Sequence, residues 1–337
     1  MPVTIYDVAK QAGVGIGTVS RVLNDSPHVR DETRQRVLAA IEALDYRPSP
    51  IAQRLSLRKT LTIGVVVVFL TRPSVVERLR GIESVVAESE YDLTVYNVET
   101  PARRDTYFQD IPSGHRVDGL IVISLSPSDA DVIRFARAGL PVTLVDTQHT
   151  ALPRIVVDDV RGGYLATQHL IELGHQRIAF VGDPLHMAFN FTSSRDRHQG
   201  YARALAECGI PYRPEYHQSG DHGEEPARRL TYALLQLPTP PTAIFAASDT
   251  QAFGVLQAAR DLGLRVPEDL SVVGYDDIEA AEYLNLTTIH QPLYDSGLRG
   301  INLLLQTIDD PSAPARVEQL PLHLVVRSTT AAPRTQG

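Results

Sequence analysis

The sequence is poor in the features that mark secreted, membrane-embedded and metal-dependent proteins. Cys208 is the only cysteine among 337 residues, so no internal disulfide can form and nothing points to an oxidising compartment. No apolar run reaches the length of about 18 residues that a membrane span needs. The most apolar stretch, Ile63 to Leu70, is short and β-branched, and it reads as a buried strand. The opening MPVTIYDVAKQ lacks a charged-then-apolar leader, and the chain is expected in the cytoplasm. No GxSxG elbow or phosphate-cradling loop occurs, so Ser248-Asp249 and His290 lack the setting of a hydrolytic site. His115, His169, His175 and His186 are scattered rather than set at metal-ligand spacing. The expectation is a chain with no enzymatic activity, no cofactor, no metal and no membrane partner.

A chain this long exceeds one ordinary core and implies several folding units. Its net charge of −8 is unevenly spread. Residues 1–60 hold 9 Lys/Arg against 6 Asp/Glu, while the remainder holds 23 against 34. A mildly basic head on an acidic body fits a protein whose head alone touches phosphate. An excess of three is also what an ordinary solvated surface would give.

Thr4 followed by Asp7 is a capping-box-like start to a short helix over Ile5–Ala12. Gly13 ends it, and Val14 and Gly15 lead into a second helix over Ile16–Leu23. Two short helices joined by a glycine-containing turn form a helix-turn-helix, for which Val8, Ala9, Val14, Val19 and Val22 supply a small core. A third helix, Asp31–Leu44, carries Val37, Ile41 and Leu44 on one face. Thr18, Ser20 and Arg21 give the second helix hydroxyls and a guanidinium where recognition helices meet phosphates and base edges. Arg21 suits the O6 and N7 of guanine. The alternative is that these residues simply face water.

TIYDVAKQAGV, TVSRVLN, VRDETRQRVLAAIEALDYRP and IAQRL, taken in order, resemble the head of the lac-repressor/gal-repressor (LacI/GalR) family. The resemblance implies that Ile16, Gly17 and Arg21 read bases. It implies that Thr4, Tyr6, Thr18, Ser20 and Asn24 lie on phosphates or groove edges. Gly15 stands where the family usually has an N-capping serine, and Gly17 removes a side chain from a base-reading position. Prolines at 48 and 50 break the chain before Ile51–Leu57, a segment too short to be a stable helix alone. By resemblance this is a hinge helix that folds on DNA as a pair, with Leu55 as a minor-groove wedge.

From Leu61 onward, strand-like runs alternate with helix-length segments. Strands are expected at Thr62–Phe69, Asp92–Tyr96, Gly119–Ile123, Val142–Asp146, Arg177–Gly182, Ala243–Ala247 and Ser271–Tyr275. Helices are expected at Gly163–Leu173, Arg197–Cys208, Thr250–Leu262 and Leu293–Ile308. Apolar strands alternating with helices argue for parallel sheets covered on both faces. The fold class is therefore an all-α helix-turn-helix head plus an α/β core of two doubly wound parallel-sheet lobes, like periplasmic binding proteins. The expected domains are a DNA-binding head (1–47), a hinge (48–60), a first lobe (61–158 plus 290–319), a second lobe (159–289 plus 320–330) and a disordered tail (331–337).

Ligands of open α/β sheets bind beyond the carboxyl ends of strands, which selects Asp146, Asp276, Ser248 and Asp249. Arg197, expected to open the helix after the Phe189–Ser194 loop, adds a guanidinium. Carboxylates and a guanidinium together can chelate vicinal hydroxyls; each alone could equally be a helix cap or a surface ion pair. VDDVRGGYLATQHLIELGHQRIAFVGD, RHQGYARAL, IFAASDTQAFGVLQAARDLGLRVPEDLSVVGYDD and LTTIHQP continue the resemblance. It implies that Arg197 and Asp276 grip the effector, with Asp146, Ser248, His222, Gln291 and Ser74 around it. Ser248 replaces a frequent asparagine, and Arg72-Pro73-Ser74-Val75 replaces a segment that usually carries aromatics. That loss favours a carbohydrate over a purine.

The expected function is an effector-responsive transcriptional regulator. It would act as a repressor that binds a palindromic operator as a homodimer, under control of a small sugar-like ligand. The alternatives are a purine, a nucleoside or a protein as co-effector.

Overall fold

The computed structural model describes residues 3–23, 26–46, 59–185 and 191–334. It contains two compact units, residues 1–60 and 61–337. In the first, helices α1 (Ile5–Ala12), α2 (Ile16–Leu23) and α3 (Asp31–Ala43) surround Val8, Val19, Val22 and Val37. Thr4 donates to the Asp7 carboxylate from both its backbone N–H (2.9 Å) and its Oγ1 (2.7 Å), fixing the start of α1. Gly13 ends α1 in the left-handed conformation, φ 63°, which glycine adopts at no steric cost. The third helix stops earlier than the prolines require. Asp45 takes φ 46°, and the Tyr46 N–H returns to the Ile41 carbonyl at 3.0 Å. Tyr46 is thereby buried in the head's core. Asn24 and the hinge segment with Leu55 lie outside the described residues.

The second unit holds two six-stranded sheets. The first contains β1 (Thr62–Val68), β2 (Asp92–Val98), β3 (Gly119–Ile123), β4 (Val142–Val145), β5 (Arg154–Val156) and β11 (Val317–Gln319). The second contains β6 (Ile178–Gly182), β7 (His217–Ser219), β8 (Ala243–Ala246), β9 (Ser271–Asp276), β10 (Thr287–His290) and β12 (His323–Val325). The spatial orders are 2-1-3-4-5-11 and 7-6-8-9-10-12, so the two lobes repeat one doubly wound plan. Every neighbour pair is parallel except β10 with β12. The chain passes to the second sheet after β5, returns to the first after β10, and crosses again after β11.

Every residue of β1 and β3 is buried, as expected of strands covered on both faces. In the first lobe α4 (Pro73–Val86) packs against α12 (Leu293–Asp309), and in the second α7 (Asp159–Glu172) packs against α8 (Ser193–Glu207). Both helices of the second pair start four residues before the sequence suggests. The Asp158 carboxylate caps α7 by accepting from the Arg161 N–H at 2.9 Å, and α8 begins at Ser193. Arg197 therefore sits in the second turn of α8 rather than at its start. Residues 331–334, expected within a disordered tail, are tied down. The Ala331 carbonyl lies 2.9 Å from the buried His175 Nε2, and Arg334 pairs with Asp269 at 2.5 Å. No helix among the described residues is long and apolar enough to cross a membrane.

Candidate functional site

The head presents its predicted DNA-facing residues to solvent. Tyr6 is 68% exposed and Ile16 38%; Thr4, Gly17 and Arg21 are also exposed, and Thr18 and Ser20 are half-buried. They lie on α2 and the start of α1, opposite the buried Val19 and Val22. A methyl group added at Gly17 would meet nothing within 4 Å, so packing does not demand glycine there.

In the core, Arg197, Asp276, Asp146, Ser248, His222, Gln291 and Ser74 all line one cavity between the carboxyl ends of the two sheets. Strand ends and helix starts put them there. Asp146 follows β4 at φ 57°, Asp276 ends β9 at φ 116°, and Ser248 caps α10 (Asp249–Asp261) by accepting from the Gln251 N–H at 3.2 Å. Residual space is about 30 Å³, room for a water or two. A hexose-sized ligand must therefore displace side chains or part the lobes.

Arg197 is 6% exposed, and its guanidinium is held along its edge and on one face. Its Nε donates to Asp159 at 2.7 Å, its Nη1 donates to the Ala247 carbonyl at 2.6 Å, and Asp276 lies 3.6 Å away. The Tyr275 ring lies beneath it, 3.6 Å from centroid to Cζ. Burial opposes the charge on Arg197, but the Asp159 and Asp276 carboxylates outweigh it and raise the pKa. Burial pushes Asp159 up to about 6 against the attraction of Arg197, and it also raises Asp276. Asp276 accepts from Gln291 Nε2 at 2.5 Å.

Several residues of this cavity went unnoticed in the sequence. Arg78 on α4 is 2% exposed. Its Nη2 lies 3.0 Å from Asp146 and donates to Gln291 Oε1 at 3.4 Å, while Asp146 also accepts from Ser124 at 2.7 Å. Asp183 accepts from Gln251 at 3.0 Å and sits 3.1 Å from His222 Nδ1. Burial raises the pKa of Asp183, but the His222 hydrogen bond and the nearby arginines outweigh it and the net shift is downward. Arg72 reaches Asp183 across the cleft at 4.0 Å. Asp249, by contrast, turns away from the cavity: its carboxylate takes the Thr288 hydroxyl at 2.6 Å and the Ile278 N–H at 2.9 Å.

A signal for Arg78 was present. Arg78-Leu-Arg-Gly81 and Arg197-His-Gln-Gly200 share the pattern Arg-x-x-Gly. Each glycine lets a second helix approach backbone to backbone. A Cβ at Gly81 would lie 2.0 Å from the Tyr294 carbonyl, and one at Gly200 would lie 2.0 Å from that of Val160.

The sequence profile described as "Bacterial regulatory proteins, lacI family" matches residues 4–49, and that of a periplasmic binding protein-like domain matches residues 167–330. Catabolite control protein A of Priestia megaterium is 34% identical over 334 residues, covering 98% of this chain and 100% of that protein. The chain belongs to the lacI family of bacterial regulatory proteins. The HTH-type transcriptional repressor PurR of Aliivibrio salmonicida (strain LFI1238) is also 34% identical, over 97% of this chain and 98% of its own length. Among solved structures, the lac repressor dimer bound to operator and the anti-inducer ONPF is 33% identical, with a TM-score of 0.84 and coverage of 98% and 100%. As a lacI-family member, the chain is a DNA-binding transcriptional regulator with a ligand-binding core. The cavity described above lies in that core, and its lining residues Arg72, Ser74, Arg78, Ser124 and Asp146 fall outside the binding-domain match.

Proposed function

We propose that the protein is a cytoplasmic repressor that binds a near-palindromic operator as a homodimer and is controlled by a sugar-like effector in the interlobe cavity. The observation that carries the effector assignment is the convergence of Arg197, Asp276, Asp146 and Gln291 from both lobes on one buried space. Carboxylates accept from hydroxyls and a guanidinium donates to them, the complement that vicinal diols require. Among the described residues, the aromatic lining of the cavity is Phe191 and the His222 imidazole, which favours a polyol over a flat base. Exposed Tyr283, Leu284 and Leu262 beside a groove lined by Phe253 and Leu256 support pairing through the second lobe. Such pairing presents two heads to two half-sites.

In this scheme the effector binds one arrangement of the lobes more tightly than another, and DNA affinity shifts by the same free energy. The test is operator binding by the purified protein, titrated with mono- and disaccharides and with purines. A sugar that shifts operator affinity tenfold, about 1.4 kcal/mol, supports the reading. A purine that does so in its place gives the cavity to a nucleobase. Tight operator binding that no small molecule shifts removes the small-molecule reading and favours a protein co-effector.

A further inference from the structure

The two walls of the cavity differ in charge. On the second-lobe side Arg197 faces Asp159 and Asp276, and Asp183 has His222 beside it. The first-lobe wall has two guanidiniums, Arg72 and Arg78, and one carboxylate, Asp146. Arg78 and Arg197 occupy equivalent places, each three residues before the glycine of its helix crossing. The difference between them is one anion. Arg197 Nε donates to Asp159, the first residue of α7 and four before Gly163. On the first lobe the corresponding first residue of α12, four before Gly297, is Leu293. Arg78 Nε, fully buried, has no hydrogen-bond partner among the described residues.

Arg72 is the less satisfied of the two. Its side chain is 13% exposed, and its nearest carboxylate, Asp183, stands at 4.0 Å. Its guanidinium lies against Phe69, 4.4 Å from the ring centroid, and Phe191, at 5.5 Å. No hydrogen bond from it occurs among the described residues. It is the N-cap of α4, whose cap carries no side-chain hydrogen bond, so the positive end of that helix dipole adds to its charge. Burial outweighs Asp183 and lowers the Arg72 pKa, the mark of a cation short of a counter-ion. A buried guanidinium without a close anion is costly, and a bidentate carboxylate or phosphate returns most of that cost.

We propose that the effector is an acidic polyol, a sugar carrying a carboxylate or a phosphate, whose anionic group is received by Arg72 on the Arg78 side of the cavity while its hydroxyls face Asp276 and Asp183. A neutral sugar makes no use of this polarity, because each hydroxyl donates and accepts alike. The proposal rests on the reading of the cavity as the effector site.

The test is calorimetric titration of the full-length protein with matched probes: glucose, glucuronate and glucose 6-phosphate, and the same trio built on galactose, mannose and fructose. The expected result is an acidic probe binding at least tenfold more tightly than its neutral parent. The better acid tells carboxylate from phosphate. Arg72→Gln should erase that preference, bringing the acid-to-neutral affinity ratio to about one, and Arg72→Lys should keep most of it. Thermal denaturation checks that each variant folds; should Arg72→Gln fail to, the wild-type ratio with Arg72→Lys decides. A neutral sugar that binds as tightly as its acids, or a preference that survives Arg72→Gln, overturns the anion subsite and leaves the effector cavity standing. Silence from every probe overturns both.

Discussion

The two lobes of the core repeat one architecture and spend it differently. Each has its first helix after its first strand crossing a second helix glycine to backbone, and each carries an arginine one turn before that glycine. Gly163 and Gly297 complete the crossings: a Cβ on the first would lie 2.0 Å from the Arg197 carbonyl, and on the second 1.9 Å from the Arg78 carbonyl. Each arginine faces an aspartate at the end of the fourth strand, Asp276 or Asp146. What differs is the first residue of the crossing helix, Asp159 in one lobe and Leu293 in the other. That exchange leaves the second-lobe arginine with two carboxylates and the first-lobe arginine with one. The backbone plan thus fixes where a guanidinium enters the cleft, and a single position outside the cleft's own wall sets how much negative charge accompanies it.

Four measurements test this comparison. Arg197→Met should destabilise the core most, by about 3–5 kcal/mol, since it leaves Asp159 and Asp276 buried without their cation. Arg78→Met strands only Asp146, which keeps its Ser124 hydrogen bond, and should cost roughly half as much. Urea denaturation of the two variants ranks them, and an equal or reversed ranking breaks the asymmetry. Gly163→Ala and Gly297→Ala should each cost about 1–3 kcal/mol by overpacking. Near-equal losses in melting experiments would bear on the shared backbone plan, whereas a silent Gly297→Ala would count against it.

The third concerns pH. Folding raises Asp159 from 3.8 to about 6, so between those values the folded chain holds the proton more tightly than the unfolded one. This contribution to stability is full below about pH 4 and is lost as pH rises through about 6. Asp159→Asn should flatten the fall in stability over that window by on the order of 1 kcal/mol, read from urea denaturation at a series of pH values. Smallest is Gly17→Ala in the head. It should raise helix stability by about 0.5–1 kcal/mol, because glycine inside a helix is entropically costly and the added methyl meets nothing. Circular dichroism melts would detect it, and a loss of stability would mean that the site is not open.

The second lobe was more legible than the first. RHQGYARAL and VVGYDD are contiguous signatures, so Arg197 and Asp276 could be read directly, and the helix-turn-helix bounds follow from Thr4, Asp7, Gly13 and the apolar spacing. Arg78 and Asp183 are isolated charged residues in ordinary surroundings. Only the tertiary fold buries them, and a one-dimensional pattern that takes charge as a sign of solvent points the wrong way. The starts of α7 and α8 were missed because Gly162 and Ser193-Ser194 carry no helical apolar spacing. In the folded core it is Gly163 that lets α7 meet the backbone of α8 at Arg197. Tyr46 escaped because it adjoins the proline-rich segment, although it packs back onto the head.

Gly17 has a consequence for how such a regulator changes its targets. If Gly17 faces bases, as the family resemblance implies, a position where an added Cβ meets nothing within 4 Å separates the choice of target from the ability to fold. A single codon change there explores new operators without first having to pass a stability barrier. The neighbouring Val19 and Val22, locked in the core, offer no such freedom. In lineages that duplicate regulators, one copy altered at this position could acquire a separate set of genes while its effector cavity remains as inherited.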